Sequence, residues 1–353
     1  MRTFSPALAS VAFAIAAAGA PWSAVPALAQ STAAEEGAVF LLAPIGARAV
    51  GTGQAAVALR LGSDAIWWNP AALGWARRRE FSLDHSSRAL APEISIRSDA
   101  LDFVLPAGRA GVLGASVLYF DFGQENATDQ FGTTVGTLST YALVASAAYA
   151  ATFGTRVSAG VTYKYVRQSQ TCSGSCAGKD SYEASTNAFD LGAQVMVDST
   201  RRLLLGAALR NFGFGLQIKD AEQTDPLPAR LHVGASYGVR RVESAIPGAK
   251  LDLTAEFVTK ASFGPLPSLA SFRIPELRAG AELRFVDRFM IRGGVLAALS
   301  DLSAGAGGDG SRAVIGFGVR QGTLGLDFAR SIGGEASNTG EPPTYVTIRM
   351  AFR

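Results

Sequence analysis

The last ten residues, Thr344-Tyr345-Val346-Thr347-Ile348-Arg349-Met350-Ala351-Phe352-Arg353, decide how this chain folds. Val346, Ile348, Met350 and Phe352 fall on one face of an extended backbone, and Tyr345, Thr347, Arg349 and Ala351 on the other. A terminal strand frays or offers an open edge to other chains unless it is paired. Regularity of this kind at the end of the sequence predicts a sheet that closes on itself, with the last strand meeting the first.

The same alternation runs back to Glu80. About fourteen segments show it, near 80–87, 95–105, 111–121, 139–151, 156–168, 186–198, 203–215, 229–239, 250–261, 275–285, 289–299, 311–320, 323–331 and 344–353. In one, Leu277, Ala279, Ala281, Leu283 and Phe285 oppose Glu276, Arg278, Gly280, Glu282 and Arg284. The joints near 106–110, 152–155, 199–202, 286–288 and 321–322 are short. Those near 122–138, 169–185, 216–228, 262–274, 300–310 and 332–343 are mostly long and rich in Gly, Ser and Asp. Short turns at one rim, long loops at the other and strands of about 9–11 residues predict an all-β, fourteen-stranded antiparallel transmembrane barrel. A soluble β-sandwich explains the alternation but neither the loop asymmetry nor the terminal strand.

Composition agrees with this class. The 353 residues are 17% charged and 48% hydrophobic and include 39 glycines, which fits neither disorder nor a helical membrane protein. Past residue 29 no run of about 18 apolar residues occurs. The net charge is only +3, with no dense Lys/Arg cluster, which argues against a nucleic-acid partner.

Residues 1–29 read as a secretory signal peptide. Arg2 supplies the positive start, Ala7 to Ala20 the apolar core, and Ala27-Leu28-Ala29 a small-x-small cleavage site before Gln30. Residues 30–78 are expected to form a separate N-terminal segment, and 79–353 the barrel. The expected location is the outer membrane of a Gram-negative-type bacterium, where barrel lipid is the first partner. In an oxidising compartment Cys172 and Cys176 predict a local disulfide pinning a loop; a metal site would need further ligands, and no His or Cys lies near them.

By the strand register Lys164, Asp190, Arg210, Arg230, Asp252, Glu256, Glu276, Arg278, Glu282, Arg284, Arg292, Asp327 and Arg349 face the lumen. Both signs occur on neighbouring strands, so cross-strand ion pairs are expected. They read either as a network stabilising a plugged lumen or as a solute path. Phe352 faces lipid. Asp84-His85-Ser86 invites comparison with outer-membrane hydrolases, but alternation places His85 on the opposite face from both neighbours. Neither catalytic residues nor a cofactor are expected.

The segment before the barrel carries its own pattern. Gly51-Thr52-Gly53-Gln54-Ala55-Ala56 looks like a dinucleotide fingerprint, but no strand precedes it and no βαβ unit follows. Asn69-Pro70 reads as an N-cap followed by proline at the first helical position. With Phe40-Leu41-Leu42, the run Ile45-Gly46-Ala47-Arg48-Ala49-Val50-Gly51-Thr52-Gly53-Gln54-Ala55 and Asp64-Ala65-Ile66-Trp67-Trp68-Asn69-Pro70-Ala71-Ala72-Leu73, the chain resembles the PorV/PorQ family within the FadL-like superfamily of outer-membrane barrels. Ala72 stands where that family usually has Gly. The resemblance implies a hatch folded into the lumen, with Gly46, Arg48, Gly51, Gly53, Asp64, Asn69, Pro70 and Ala71 as its motif residues. It implies, first, a role in type IX-like protein secretion or surface attachment, with secretion proteins and exported cargo as partners. The alternative it implies is passage of hydrophobic small molecules.

Overall fold

The computed structural model describes residues 36–352, apart from 92–93, 177–180, 199, 201, 219–223, 240–241, 243–244, 262–272, 299–310 and 333–340. The segment predicted as a signal peptide, with its Ala29/Gln30 cleavage site, lies outside the described residues. So does most of the predicted loops near 262–274, 300–310 and 332–343.

Fourteen strands follow one another in chain order: β1 (Arg79–Ala91), β2 (Ile94–Pro106), β3 (Val112–Thr128), β4 (Thr134–Phe153), β5 (Val157–Gly174), β6 (Tyr182–Met196) and β7 (Leu203–Gly213), then β8 (Arg230–Val239), β9 (Ala249–Lys260), β10 (Arg273–Phe285), β11 (Phe289–Ala298), β12 (Arg312–Gln321), β13 (Leu324–Ile332) and β14 (Thr344–Phe352). Each pairs with its sequence neighbours, and β14 pairs with β1, so the sheet is a closed antiparallel barrel. The closing register runs from Arg79 opposite Phe352 to Ser87 opposite Thr344. The terminal strand therefore has no free edge, which is what its regularity requires.

The two faces of the wall follow the period of two. Outward-facing Phe81, Leu83, Leu101, Val117, Leu253 and Ile348 are all strongly exposed, as a wall against hydrocarbon demands. Aromatic rings cluster on this surface: Tyr119 stacks on Tyr141 at 5.9 Å, and Phe189 lies 5.5 Å from Tyr163 and 5.9 Å from Phe212. An apolar belt edged by aromatic rings is the exterior of a barrel seated in a bilayer. Phe352 belongs to this outer face, its neighbours Ile348 and Met350 being exposed while Thr347 and Arg349 are buried inside. No described helix is long and apolar enough to cross a membrane.

The turn rim carries short connections and the start of β1; the loop rim carries the opposite ends. Two predicted loops are corrected here. Much of 122–138 and 169–185 is strand, with β3 running to Thr128, β4 starting at Thr134 and β5 running to Gly174. The β3–β4 hairpin closes tightly because the Asp129 carboxylate accepts from the Phe131 and Thr133 amides and Gly132 takes a positive φ of 81°. A bulge between Asp121 and Gln124, where Gly123 has φ 82°, breaks the alternation on which the sequence reading relied.

Residues 36–78 fill the lumen. They form two short helices, α1 (Ala47–Gly51) and α2 (Ala65–Trp68), and 3-10 turns at Val39–Leu42, Gly62–Asp64 and Pro70–Trp75. Leu61, Ile66 and Leu73 are fully buried against the inner wall with Val104, Val144 and Ala148. Each such side chain contributes roughly 1.5–3 kcal/mol by leaving water.

Candidate functional site

The hatch approaches the wall so closely that the wall has lost its side chains there. Gly280 and Gly294, paired across β10 and β11, lie against the Thr52 and Gly53 backbone; Gly192 and Gly160, paired across β6 and β5, lie against Asn69 and Pro70. A Cβ at Gly280 would overlap the Thr52 carbonyl, and one at Gly192 the Asn69 side chain. Glycine weakens a strand, so its placement here reflects close backbone approach.

Polar side chains of the wall meet the hatch's backbone groups. Thr347 Oγ1 accepts from the Ala47 amide at 2.8 Å, Glu256 accepts from the Val57 amide at 2.8 Å, and Thr254 donates to the Ala55 carbonyl at 2.7 Å. Gln194 accepts from Trp75 Nε1 at 2.8 Å and donates to the Val57 carbonyl at 2.9 Å. A coil buried in a barrel leaves its amides and carbonyls without helical or sheet partners, and these side chains supply them.

The motif residues lie in this contact zone. Gly46, with φ 85°, leads into α1 beside the Asp64 carboxyl, where a Cβ would collide. Gly51 faces Arg292 and Gly316, and Gly53 has φ 68°. Asn69 caps the turn it opens, accepting from the Ala71 amide at 3.0 Å, with Pro70 at the first position of that turn. Its amide nitrogen reaches back to the Val57 carbonyl at 2.7 Å, and the Ala71 carbonyl accepts from Ser158 at 2.6 Å. The two charged motif residues bind different strands of the wall, β10 and β14. Arg48 forks onto Glu282 at 2.9 and 3.1 Å, and Asp64 accepts from Arg349 at 2.7 Å.

These contacts belong to one buried network near the turn rim. Arg292 joins Glu282 and Asp327, each at 2.7 Å, while Arg349 also reaches Glu80 at 3.1 Å. Asp64, Asp84 and Asp102 each offer a carboxylate oxygen within 4.8 Å of the others, a spacing that could hold a cation. Each carboxylate already has a protein partner: Asp64 Oδ1 has Arg349, Asp84 has Thr347, and Asp102 has Ser116 and, at 3.0 Å, Trp67 Nε1, while Asp64 Oδ2 is buried without a hydrogen bond. The triad is therefore read as part of the wall-to-hatch network. Asp84 is inside and buried, while His85 points outward and pairs with Asp99 at 2.7 Å.

Higher in the lumen, Arg230 forks onto Glu36, both contacts being 2.8 Å. Burial works to raise the Glu36 carboxyl, but Arg230 and Lys260 beside it prevail and hold it below the usual range. Glu256 bonds His232 at 2.6 Å, Arg278 bonds Glu276 at 2.5 Å, and Arg284 pairs with Asp252. At the loop rim Cys172 is bonded to Cys176.

Above the hatch, toward the loop rim, lies a cavity of about 550 Å³. Leu42, Ala43, Pro44, Gln54 and Trp68 of the hatch line it from below, and Ile96, Phe120, Val258, Leu296 and Tyr345 are its apolar wall. Its ionisable lining comprises Arg88, Arg210, Arg230, Arg278, Arg312, His232 and Glu276. A second cavity of about 440 Å³ opens beside it, lined by Phe40, Phe122, Leu216 and Ile218 among others. Phe40 and Phe120 touch at 6.0 Å and so join the walls of the two. The sequence placed Arg210, Arg230 and Arg278 on the inner face but could not show that they meet, since they come from β7, β8 and β10.

No protein-family model and no curated protein matches the chain. Solved structures do match it in fold. The toluene transporter TbuX of Ralstonia pickettii superposes with a TM-score of 0.59 at 16% identity, covering 89% of this chain and all of that one. The CymD monoaromatic hydrocarbon channel gives 0.58 at 13% identity, covering 88% and 98%. A FadL homologue of Pseudomonas aeruginosa gives 0.51 at 13% identity, covering 88% and 99%. At these identities the likeness is one of fold: the chain shares the barrel architecture of these proteins.

Proposed function

We propose that the protein is an outer-membrane channel that admits hydrophobic solutes, the second of the two roles implied by the sequence resemblance. The observation that carries this reading is the pair of aromatic-walled cavities at the loop rim, standing directly over a lumen filled by the hatch. A solute leaving water at the Phe40–Phe122 cavity meets aromatic rings that border the larger cavity through the Phe40–Phe120 contact, with the hatch as the larger cavity's floor. Concave, largely apolar pockets with a few convergent polar groups are the usual form of small-molecule sites. The fold shared with the toluene transporter and the monoaromatic hydrocarbon channel supports the same direction. The type IX-like secretion role gives way to this reading because no described feature speaks for a protein cargo. PorV/PorQ kinship remains a proposal resting on the hatch motif.

The test is uptake. Cells expressing the protein should accumulate a labelled monoaromatic or alkyl solute faster than cells lacking it, and mass spectrometry of barrel purified from native membranes should find a bound small molecule. Equal uptake, together with secretion components in the purified material, would reinstate the secretion role.

A further inference from the structure

The larger cavity is apolar in its walls but not in its charge: five arginines line it against a single glutamate. Most of these cations have partners. Arg230 is held by Glu36, Arg278 by Glu276, and His232 by Glu256. Arg210 differs. It is only 6% exposed, its guanidinium lies 5.1 Å from the centre of the Trp68 ring, and it lines the cavity. Among the described residues it has no hydrogen-bond acceptor and no carboxylate at ion-pair distance, and its Nε is buried without a partner. At three other buried arginines of this lumen, Arg48, Arg292 and Arg349, a carboxylate meets the guanidinium.

Asp190 and Glu256 attract it from a distance, but the first is taken by Lys164 and the second by His232 and Arg278. A buried guanidinium with no carboxylate in direct contact is costly to keep, and a site meant only for neutral hydrocarbon has no use for it. It is the group best suited to take a planar carboxylate through two parallel hydrogen bonds. Trp68 beneath it fixes the plane from one side by a cation–π contact. Leu42, Ile96, Phe120, Val258 and Leu296 then surround whatever body the charged group carries.

We propose that this cavity is a binding site for a compact organic anion, a carboxylate on a small aromatic or short aliphatic body, with Arg210 as the residue that takes its charge. The inference rests on the solute-channel reading and narrows it: the preferred solute is amphipathic and anionic. The surplus of arginines around Arg210 gives the anion a favourable field along its approach.

The experiment uses the full chain in detergent micelles and matched probes: benzoate against toluene, and octanoate against octanol. Binding is followed by quenching of tryptophan fluorescence and by calorimetry. Each anion should bind at least about tenfold tighter than its neutral counterpart. That preference should shrink as salt rises. In Arg210→Gln the ratio of anion to neutral affinity should fall to about one, and Arg210→Lys should restore part of it. Heat-modifiable gel migration confirms that both variants are folded barrels. Neutral probes binding as well as the anions, or an unchanged ratio in folded Arg210→Gln, would overturn the inference and leave the channel reading standing. Failure of every probe to bind would overturn both.

Discussion

The two halves of the lumen are built from the same alternating strands and dispose of charge in opposite ways. Near the turn rim Arg48, Arg292 and Arg349 each meet carboxylates, and the hatch enters these pairs through Arg48 and Asp64. Near the loop rim arginines outnumber acids, and the most buried of them, Arg210, has only an aromatic face beneath it. An inward charge is thus not structural or functional by its own nature. It becomes structural where the hatch brings its complement, and it remains available where, as at Arg210, the hatch brings only the Trp68 ring.

The sharpest way to break this comparison is to remove a charge from each half. Arg349→Met leaves Asp64, Glu80 and Asp327 without their shared cation, so it should lose about 3–5 kcal/mol in denaturant unfolding. Unfolding at wild-type denaturant would sink the claim that the turn-rim half is held by its ion pairs. Gly280→Val sets a branched side chain against the Thr52 backbone and should cost about 1–3 kcal/mol or more. Limited proteolysis should then cut within 45–60 sooner than in the parent. Asn69→Ala loses a cap and the bond to the Val57 carbonyl, for about 1–2 kcal/mol in the same unfolding assay.

Arg210→Gln sharpens the contrast from the other side. It strands no described carboxylate, so its unfolding should stay within about 1 kcal/mol of the parent despite the residue's burial. A loss as large as that of Arg349→Met would mean the loop-rim half is structural too.

The smallest effect belongs outside the lumen. In the turn between β6 and β7, the Thr200 hydroxyl and the Leu203 and Arg202 amides hold the Asp198 carboxyl down to about 2. A depressed carboxyl adds stability above its unfolded value of about 4 and loses it as pH falls through the folded one. Asp198→Asn should therefore differ slightly from the parent at pH 5 and converge with it near pH 2, as read by thermal unfolding.

The barrel was legible because bilayer and lumen impose opposite demands on alternate residues, as in Leu277 to Phe285 and Val346 to Phe352. Where β3 to β6 continue past the aromatic rings, both faces become polar. Gln124, Glu125 and Asn126 then read as loop although their backbones still pair with β4. The hatch motif was legible as a pattern, but its counterparts were not. Gly280 and Gly192 look like weak points in strands until Thr52 and Asn69 are seen against them. The cationic cavity was least legible, for its arginines lie on β1, β7, β8, β10 and β12, and no local pattern joins such distant positions.

The hatch also bears on how the barrel is closed. Its first described residue, Glu36, is held at the loop rim by Arg230 and Lys260, and its last residues enter β1 at the turn rim, so it runs the length of the tube like a cord. On the way it binds both edges of the closing seam: Ser63 to Glu80 on β1, and Ala47 and Asp64 to Thr347 and Arg349 on β14. The seam is thus fastened twice, once by its own ladder and once by a cord that holds both of its edges from inside.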